Sequence, residues 1–363
     1  MSLDDEALFI LKMPPDFPVD DLYAVAEILF DADIFIPGYI PPEVGLYEPK
    51  GFLYSHHAER LETILLPDRN VASRLAQVIR GKSVSQDHQR RQAAAIMAFA
   101  QCLDIQIEPS IAFHELAHVQ GNDAAHEELA WFRAADHPRP LDWLNVALSR
   151  ADRMNIQAPP PSVVSRNLAR PLHRWKRNYI HALKIGEIEL TPMSKLDQVL
   201  TFFKWMYEGF MLGGPAALLA AIYFAPNSAP RGGLFKSLRS PDRERAIGGI
   251  RNAAWDLTHL SDFTRHVQDQ SKRYLFASFD VGARHVAGLL FETGQDPKNP
   301  ETVVTGLRRW WPEKDARLIA QMLFDYFSRG RPPEWYADQA ANPGRIDELV
   351  SEGERAVRQF AVA

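Results

Sequence analysis

Acidic residues stand at four places where a strand is predicted to end or a helix to begin. They are Asp68, Glu115, Asp256 and Asp280. A carboxylate just beyond a buried strand lies at the rim of a sheet, which is where open α/β folds place their ligand sites. Several carboxylates in one place would repel one another unless a divalent cation neutralised them. The pattern therefore predicts a Mg²⁺ or Mn²⁺ site, and with it chemistry on phosphate groups.

Three short strands and several helices must position these acids. Apolar runs predict strands at 62–67, 105–108 and 274–278, and apolar residues at helical spacing predict helices between them. Strands that alternate with helices indicate parallel βαβ units. We therefore expect an α/β protein in three layers, with a parallel sheet flanked by helices and a helical content well above average.

The sequence around the acids is similar to that of the PIN-domain nucleases. Residues 68–70, Asp-Arg-Asn, resemble the Asp-x-Asn that ends the first strand of that family, with Arg where the family usually has Thr. Residues 109–116 resemble its strand-to-helix turn that presents a Glu. Asp256 matches an Asp that opens a late helix, and residues 278–280, Ser-Phe-Asp, resemble its Thr/Ser-x-Asp.

This resemblance implies a metal-dependent endoribonuclease. In the PIN family the acids bind one or two Mg²⁺ or Mn²⁺ ions, and the enzyme hydrolyses RNA. The residues implied as metal ligands and catalytic groups here are Asp68, Glu115, Asp256 and Asp280, with Asn70 and Ser278 as supporting hydrogen-bonding residues. Many members are toxins restrained by an antitoxin or act in RNA processing, so the resemblance also implies an RNA substrate and is compatible with an inhibitory protein partner.

The PIN-like pattern covers two separated parts of the chain. Glu115 and Asp256 stand 141 residues apart, far more than in compact members of the family, and Pro159-Pro160-Pro161 marks a break between them. We therefore predict five segments: an N-terminal extension at 1–58, the first part of a PIN-like core at 59–158, a helical insertion at 159–245, the second part of the core at 246–292 and a C-terminal helical region at 293–363.

A basic stretch lies in the predicted insertion. Between residues 166 and 184 there are six Lys or Arg and no acid, with Trp175 and Tyr179 among them. Positive charge for phosphates and flat rings for bases form the combination that binds single-stranded nucleic acid. A solvated helix face is the structural alternative. The residues predicted to contact RNA are Arg170, Arg174, Lys176 and Arg177.

A zinc motif overlaps one of the four acids. Residues 114–118 read His-Glu-Leu-Ala-His on a predicted helix, so that the two histidines lie on one face and can bind Zn²⁺ while the Glu activates water. The pattern continues as in metzincins to a glycine, but Ala124 stands where that class has its third His. The alternative function is therefore a zinc metallopeptidase that uses His114, Glu115 and His118.

A non-catalytic RNA-binding protein on a degenerate PIN fold is a further alternative. The presence of all four acids argues against it, because RNA binding alone does not require a metal site. Metal-dependent cleavage of a mixed RNA pool would separate the two.

Composition and the N-terminus indicate a cytoplasmic protein. The chain has 363 residues, is 46% hydrophobic and 24% charged, and carries a net charge of −5, values typical of a globular protein with a large core. A single cysteine, Cys102, excludes an intrachain disulfide framework and suits a reducing compartment. The acidic N-terminus is unlike a secretory signal, and the uncharged run 209–224 is shorter than the ~20 residues of a spanning helix. No membrane attachment is expected, and a homodimer is compatible with the sequence.

Overall fold

A four-stranded sheet lies in the first of two units into which packing divides the chain in this computed structural model. The structure describes residues 12–41, 43–154, 166–227, 234–267 and 269–360. The first unit comprises Met1–Leu168 and Asp269–Phe279, and the second comprises Ala169–Gln268 and Asp280–Ala363. Helices make up 63% of the structure, which agrees with the expected helix-rich α/β class.

The strands of the first unit run in the order β1-β4-β2-β3 across the sheet. They are β1 (Phe35–Pro37), β2 (Glu62–Pro67), β3 (Gln106–Ile107) and β4 (Lys272–Ala277). Strand β2 pairs in parallel with both β3 and β4. Five consecutive residues of β2 are buried, which explains its apolar run without alternation, since a strand covered on both faces has no solvent side.

The sheet is mixed rather than wholly parallel, which corrects the prediction. Strand β1 pairs antiparallel with β4, with Phe35 opposite Ala277 and Pro37 opposite Leu275. It lies within the 1–58 segment, where the sequence pattern assigns no strand, because three residues are too few for any periodicity. Its proline is tolerated since β1 is an edge strand and one side of its backbone has no strand partner.

Seven α-helices of the described chain belong to the first unit. They are α1 (Val19–Ala32), α2 (Pro49–His57), α3 (Arg69–Ile79), α4 (His88–Cys102), α5 (Ser110–Gln120), α6 (Asn122–Arg133) and α7 (Pro140–Ala147). Helix α3 buries Val71, Leu75 and Val78 at helical spacing. It packs against α4, α5 and α6, so it connects the end of β2 to three other helices.

In the second unit, all the regular elements among the described residues are helices. Its helices are α8 (His173–Leu190), α9 (Lys195–Glu208), α10 (Gly214–Tyr223), α11 (Arg243–Thr264), α12 (Val281–Gln295), α13 (Pro300–Leu307), α14 (Glu313–Arg329), α15 (Pro333–Ala341) and α16 (Arg345–Gln359). Helix α8 packs against α11 and α16. The uncharged run 209–224 forms a loop followed by the buried helix α10. Among the described helices, none has the length and hydropathy needed to cross a membrane.

The predicted five-part division of the chain stays a prediction. Packing alone groups the chain differently, because it places α11 and α12 with the other helices of the second unit. The strand β4 between them belongs to the first unit.

Candidate functional site

Asp68 lies at the carboxyl end of the central strand β2 and begins the next helix. Its backbone N–H donates to the Ala277 carbonyl oxygen at 2.9 Å. Its side-chain Oδ1 accepts from the Val71 N–H at 3.1 Å, so Asp68 is the N-cap of α3. The residue is only 7% exposed. The positive end of the α3 dipole favours a negative charge at this position.

Two hydrogen bonds join the end of β2 to the end of β4. The Ser278 hydroxyl donates to Asp68 Oδ2, and the Phe279 N–H donates to Asn70 Oδ1 at 3.0 Å. Ser278 has no exposed surface. The Asp-x-Asn and Ser-x-Asp segments, about 210 residues apart along the chain, are therefore brought together, as their positions at the ends of neighbouring parallel strands predict.

Glu115 lies on α5, which follows the edge strand β3. The Glu108 N–H donates to the Leu65 carbonyl oxygen at 2.9 Å, so the chain leaves β3 at the same end of the sheet as it leaves β2. Helix α5 packs against α3 and α6, and Glu115 is half-buried. This agrees with the predicted strand-to-helix turn.

The other two acids belong to the second unit. Asp280 follows Phe279 directly and is the N-cap of α12, where its Oδ1 accepts from the Ala283 N–H at 2.9 Å. Asp256 does not open a helix, contrary to the matched family pattern, because it lies in the interior of α11 (Arg243–Thr264). Both side chains are half-buried.

The oxygen donors at the end of β2 suit a hard cation. Within the part of the chain that the structure describes, no three or more His, Cys, Asp or Glu side chains form a group that could hold a metal ion. Mg²⁺ commonly takes only one or two protein carboxylates and keeps water or substrate phosphate as its other ligands. The atoms of Asp68, Asn70 and Ser278 that could act as metal ligands are all oxygens. This fits Mg²⁺ or Mn²⁺ better than a softer metal. The set of four carboxylate ligands stays a prediction.

The H-E-x-x-H segment lies on α5, and both histidines use Nδ1 for backbone hydrogen bonds. His114 Nδ1 is 2.7 Å from the Leu168 carbonyl oxygen, and His118 Nδ1 is 2.8 Å from the His114 carbonyl oxygen. Since a carbonyl only accepts, each Nδ1 carries the hydrogen. Burial lowers the pKa of His114; the hydrogen bond to Leu168 opposes this, and nearby Arg166 adds to it. Burial therefore favours the neutral form of His114.

In this hydrogen bonding both imidazoles resemble zinc ligands, which commonly donate Nδ1–H to a carbonyl oxygen. A catalytic zinc, however, takes three protein ligands, and the described residues contain no such group. The nearby His126 donates from Nε2 to the Arg166 carbonyl oxygen at 2.8 Å. The zinc peptidase therefore stays an alternative.

The four basic residues predicted to contact RNA differ in their surroundings. Arg174 pairs with Asp262 at 2.5 Å and Lys176 with Asp347 at 2.7 Å. Arg170 and Arg177 are exposed and have no acidic partner among the residues that the structure describes. Within the second unit, Arg170 and Arg177 are therefore better placed than Arg174 and Lys176 to bind phosphate.

Two features of the first unit have no signal in the sequence. Glu128 accepts from Arg69 Nη1 at 2.6 Å, a contact between residues 59 positions apart. A cavity of about 490 Å³ is lined by residues including Met97, Phe132 and Asp136, and burial raises the pKa of Asp136. None of the predicted site residues lines this cavity, so we do not assign it to the same chemistry.

Comparisons with models of protein families, with curated proteins and with solved structures find no match to this chain. The functional interpretation therefore depends on the residues themselves. Its strongest support is the pair of hydrogen bonds between the ends of β2 and β4.

Proposed function

We propose that this protein is a Mg²⁺- or Mn²⁺-dependent endoribonuclease that hydrolyses RNA phosphodiester bonds with a PIN-like site. The observation that carries the proposal is the junction between Asp68 and Asn70 after β2 and Ser278 and Phe279 after β4. Both segments have local sequences that resemble PIN motifs. A chance resemblance would not require them to meet.

The order of the strands supports the same proposal. The strand that ends at Asp68 is central, and its two parallel neighbours are the strands that precede Glu115 and Asp280. The carboxyl ends of parallel neighbours lie at one edge of the sheet, where α/β proteins build their sites. The antiparallel strand β1 adds to the opposite side of β4 and leaves this order unchanged.

Asp68 has the central role in the proposed site. Within the first unit, the residues proposed to hold the ion are Asp68 and Glu115; Asp256 and Asp280 stay predicted ligands from the family resemblance. A bound Mg²⁺ or Mn²⁺ lowers the pKa of a water ligand and offsets negative charge on the phosphate. The Val71 N–H and the Ser278 hydroxyl each bind one oxygen of Asp68, so the orientation of the carboxylate is set before a ligand arrives. Asn70 fixes the backbone at Phe279, directly before Asp280.

Partners and location follow from the same proposal. The substrate is RNA, bound in part by Arg170 and Arg177. An inhibitory protein partner comes from analogy with the PIN family alone, and a cytoplasmic location is proposed from the single cysteine. The proposal requires no homodimer, although it is compatible with one.

Replacement of Asp68 by Asn tests the proposed function. Asn keeps the size of the side chain and caps helices well, but it removes the charge that attracts a divalent cation. We expect Asp68→Asn to lower Mn²⁺-dependent cleavage of a mixed RNA pool by about a hundredfold or more, since a lost charged group that acts on the transition state costs several kcal/mol. Cleavage by the wild type should stop when EDTA is added.

The matched control is Asp242→Asn, because Asp242 also caps a helix, α11, with its side chain bound to the Glu244 and Arg245 N–H groups. This variant should cleave RNA at the wild-type rate. Wild-type protein that binds RNA without cleaving it at any Mn²⁺ concentration would favour the non-catalytic alternative. For the zinc alternative, His118→Ala should abolish peptide hydrolysis and Asp280→Asn should leave it intact, the reverse of their expected effects on RNA cleavage.

A further inference from the structure

A positive charge stands next to Asp68 where the PIN pattern usually has Thr. Arg69 is the first residue of α3 and lies between Asp68 and Asn70. Adjacent Cα atoms are about 3.8 Å apart, so an arginine side chain at this position is long enough to approach the neighbouring carboxylate. A guanidinium there would compete with a divalent cation for Asp68, since both are positive charges attracted to the same oxygens.

The structure directs this guanidinium to a different acid. Arg69 Nη1 donates to Glu128 Oε1 at 2.6 Å. Both side chains are largely buried, with 19% and 18% of their surfaces exposed. Glu128 lies on α6, which packs against α3. A partly buried, charge-assisted pair of this kind is stronger than an exposed one because solvent screens it less.

We propose that Glu128 is a positioning residue for the metal site: it holds the Arg69 guanidinium away from Asp68 and offsets its charge. Glu128 does not touch the substrate or the ion in this role. The inference depends on the proposed function, because it concerns the charge next to Asp68, the proposed ligand of the divalent cation. It also explains how the arginine side chain is accommodated at the middle position of the Asp-x-Asn segment.

A second ion pair between the same two helices provides the control. Arg80, the C-cap residue of α3, pairs with Glu127 of α6 at 3.1 Å. This pair also connects α3 to α6, but its arginine lies at the opposite end of α3 from Asp68. The Glu127 side chain is 66% exposed, so Glu127→Gln controls for the loss of a charge from α6, while Arg69→Gln and the double variant test whether the Arg69–Glu128 pair is only a brace between the helices.

The test measures Mn²⁺ binding to the full chain by titration calorimetry, and therefore has a readout other than activity. Glu128→Gln should weaken Mn²⁺ binding about tenfold, because it releases a full positive charge beside Asp68. Arg69→Gln should bind Mn²⁺ at least as tightly as the wild type. The double variant should recover wild-type affinity to within about threefold, and Glu128→Asp, which keeps the charge, should do the same. Glu127→Gln should have no effect on the affinity.

The outcomes separate this inference from the proposed function. If the wild type binds Mn²⁺ and Glu128→Gln binds it equally well, the positioning role is wrong and the nuclease proposal stands. The positioning role is also wrong if Arg69→Gln weakens binding as much as Glu128→Gln and the double variant shows no recovery, since that is the result expected of a mechanical brace. If the wild type binds no Mn²⁺, the proposed function fails and the inference with it. Circular dichroism of each variant verifies that the fold is intact, and the charge-keeping Glu128→Asp supplies the comparison if Glu128→Gln unfolds.

Discussion

At the scale of single residues, the candidate site is built from hydrogen bonds that connect distant parts of the sequence. Asp68 is held by the backbone of its own helix and by the hydroxyl of Ser278, while Asn70 binds the backbone at Phe279. These side chains are short, so they have few rotatable bonds to order on folding. Their positions follow closely from the positions of the strand ends.

A buried histidine in the second unit has an unusual environment. His181 Nε2 donates to the Met211 carbonyl oxygen at 2.9 Å, and the rings of Phe202, Trp205 and Phe210 surround its imidazole. Its Nδ1 is buried and has no hydrogen-bond partner among the described residues. Protonation would place a charge in an apolar environment. Burial therefore lowers the pKa of His181 to about 4, from an ordinary value of 6.5.

We expect this histidine to make the protein less stable in acid. Between pH 6.5 and 4 the unfolded chain binds a proton at His181 that the folded chain does not, so stability is complete above pH 6.5 and falls as the pH is lowered. The loss should reach about 3 kcal/mol for this one group. Urea unfolding at a series of pH values gives the slope of the free energy of unfolding against pH. Between pH 4 and 6.5 this slope should be smaller in His181→Gln than in the wild type. His173→Gln, at the exposed start of the same helix, should keep the wild-type slope, and an equal slope in all three proteins would contradict the expectation.

At the scale of elements, apolar patterning predicts the strands that carry the site but not every element. The predicted strand 62–67 agrees with β2, and the predicted strands at 105–108 and 274–278 correspond to β3 and β4 within a few residues. Helical spacing continues to Asp152, yet α7 ends at Ala147. Tertiary contacts replace the last turn, because Arg150 pairs with Asp21 and Asp152 binds Ser83 and Ser85.

Helix α11 contains two adjacent glycines with opposite surroundings. A Cβ on Gly249 would lie 1.8 Å from the Lys236 carbonyl oxygen, whereas a Cβ on Gly248 would meet nothing within 4 Å. The backbone at Lys236 thus approaches the helix closely where only glycine fits.

We predict that alanine at these two positions changes stability in opposite directions. Gly249→Ala should lower the free energy of unfolding by about 3 kcal/mol or more, since the contact is with backbone and the segment must shift. Gly248→Ala should raise it by about 0.5–1 kcal/mol, because alanine favours an exposed helix position. Chemical denaturation measures both, and similar values for the two variants would show that the segment around Lys236 does not approach α11 in this way.

At the scale of the whole molecule, a net charge of −5 requires a nuclease to present its positive charge locally. In the second unit, acids neutralise much of the basic stretch: Asp262 pairs with Arg174 and Asp347 with Lys176. Trp175 stacks on Tyr179, and Tyr179 is only 2% exposed. This favours a packing role over base binding for the two rings. The exposed Arg170 and Arg177 remain as the residues proposed to bind RNA phosphates.

Charge reversal of these two arginines should weaken RNA binding and reduce its dependence on salt. Each phosphate contact to a single strand contributes about 0.7 to the slope of log K against log salt concentration, so Arg170→Glu together with Arg177→Glu should reduce the slope by about 1.4. Fluorescence anisotropy with a labelled single-stranded RNA, at several salt concentrations, measures this. Arg309→Glu together with Lys314→Glu, two exposed residues elsewhere in the second unit, makes the same change in net charge. Equal weakening by both double variants would indicate a general charge effect and no local contact.

The sequence by itself determined the helix-rich α/β class, the strand 62–67 that precedes Asp68 and the residue types that suit a hard cation, because these depend on local periodicity and on the chemistry of single side chains. Only the tertiary structure decided that Ser278 binds Asp68, that β1 makes the sheet mixed, that Asp256 lies inside a helix and that Glu128 takes the charge of Arg69. The physical reason is the distance along the chain. A contact between residues tens or hundreds of positions apart depends on how whole elements pack, and no local pattern records which partner a side chain meets.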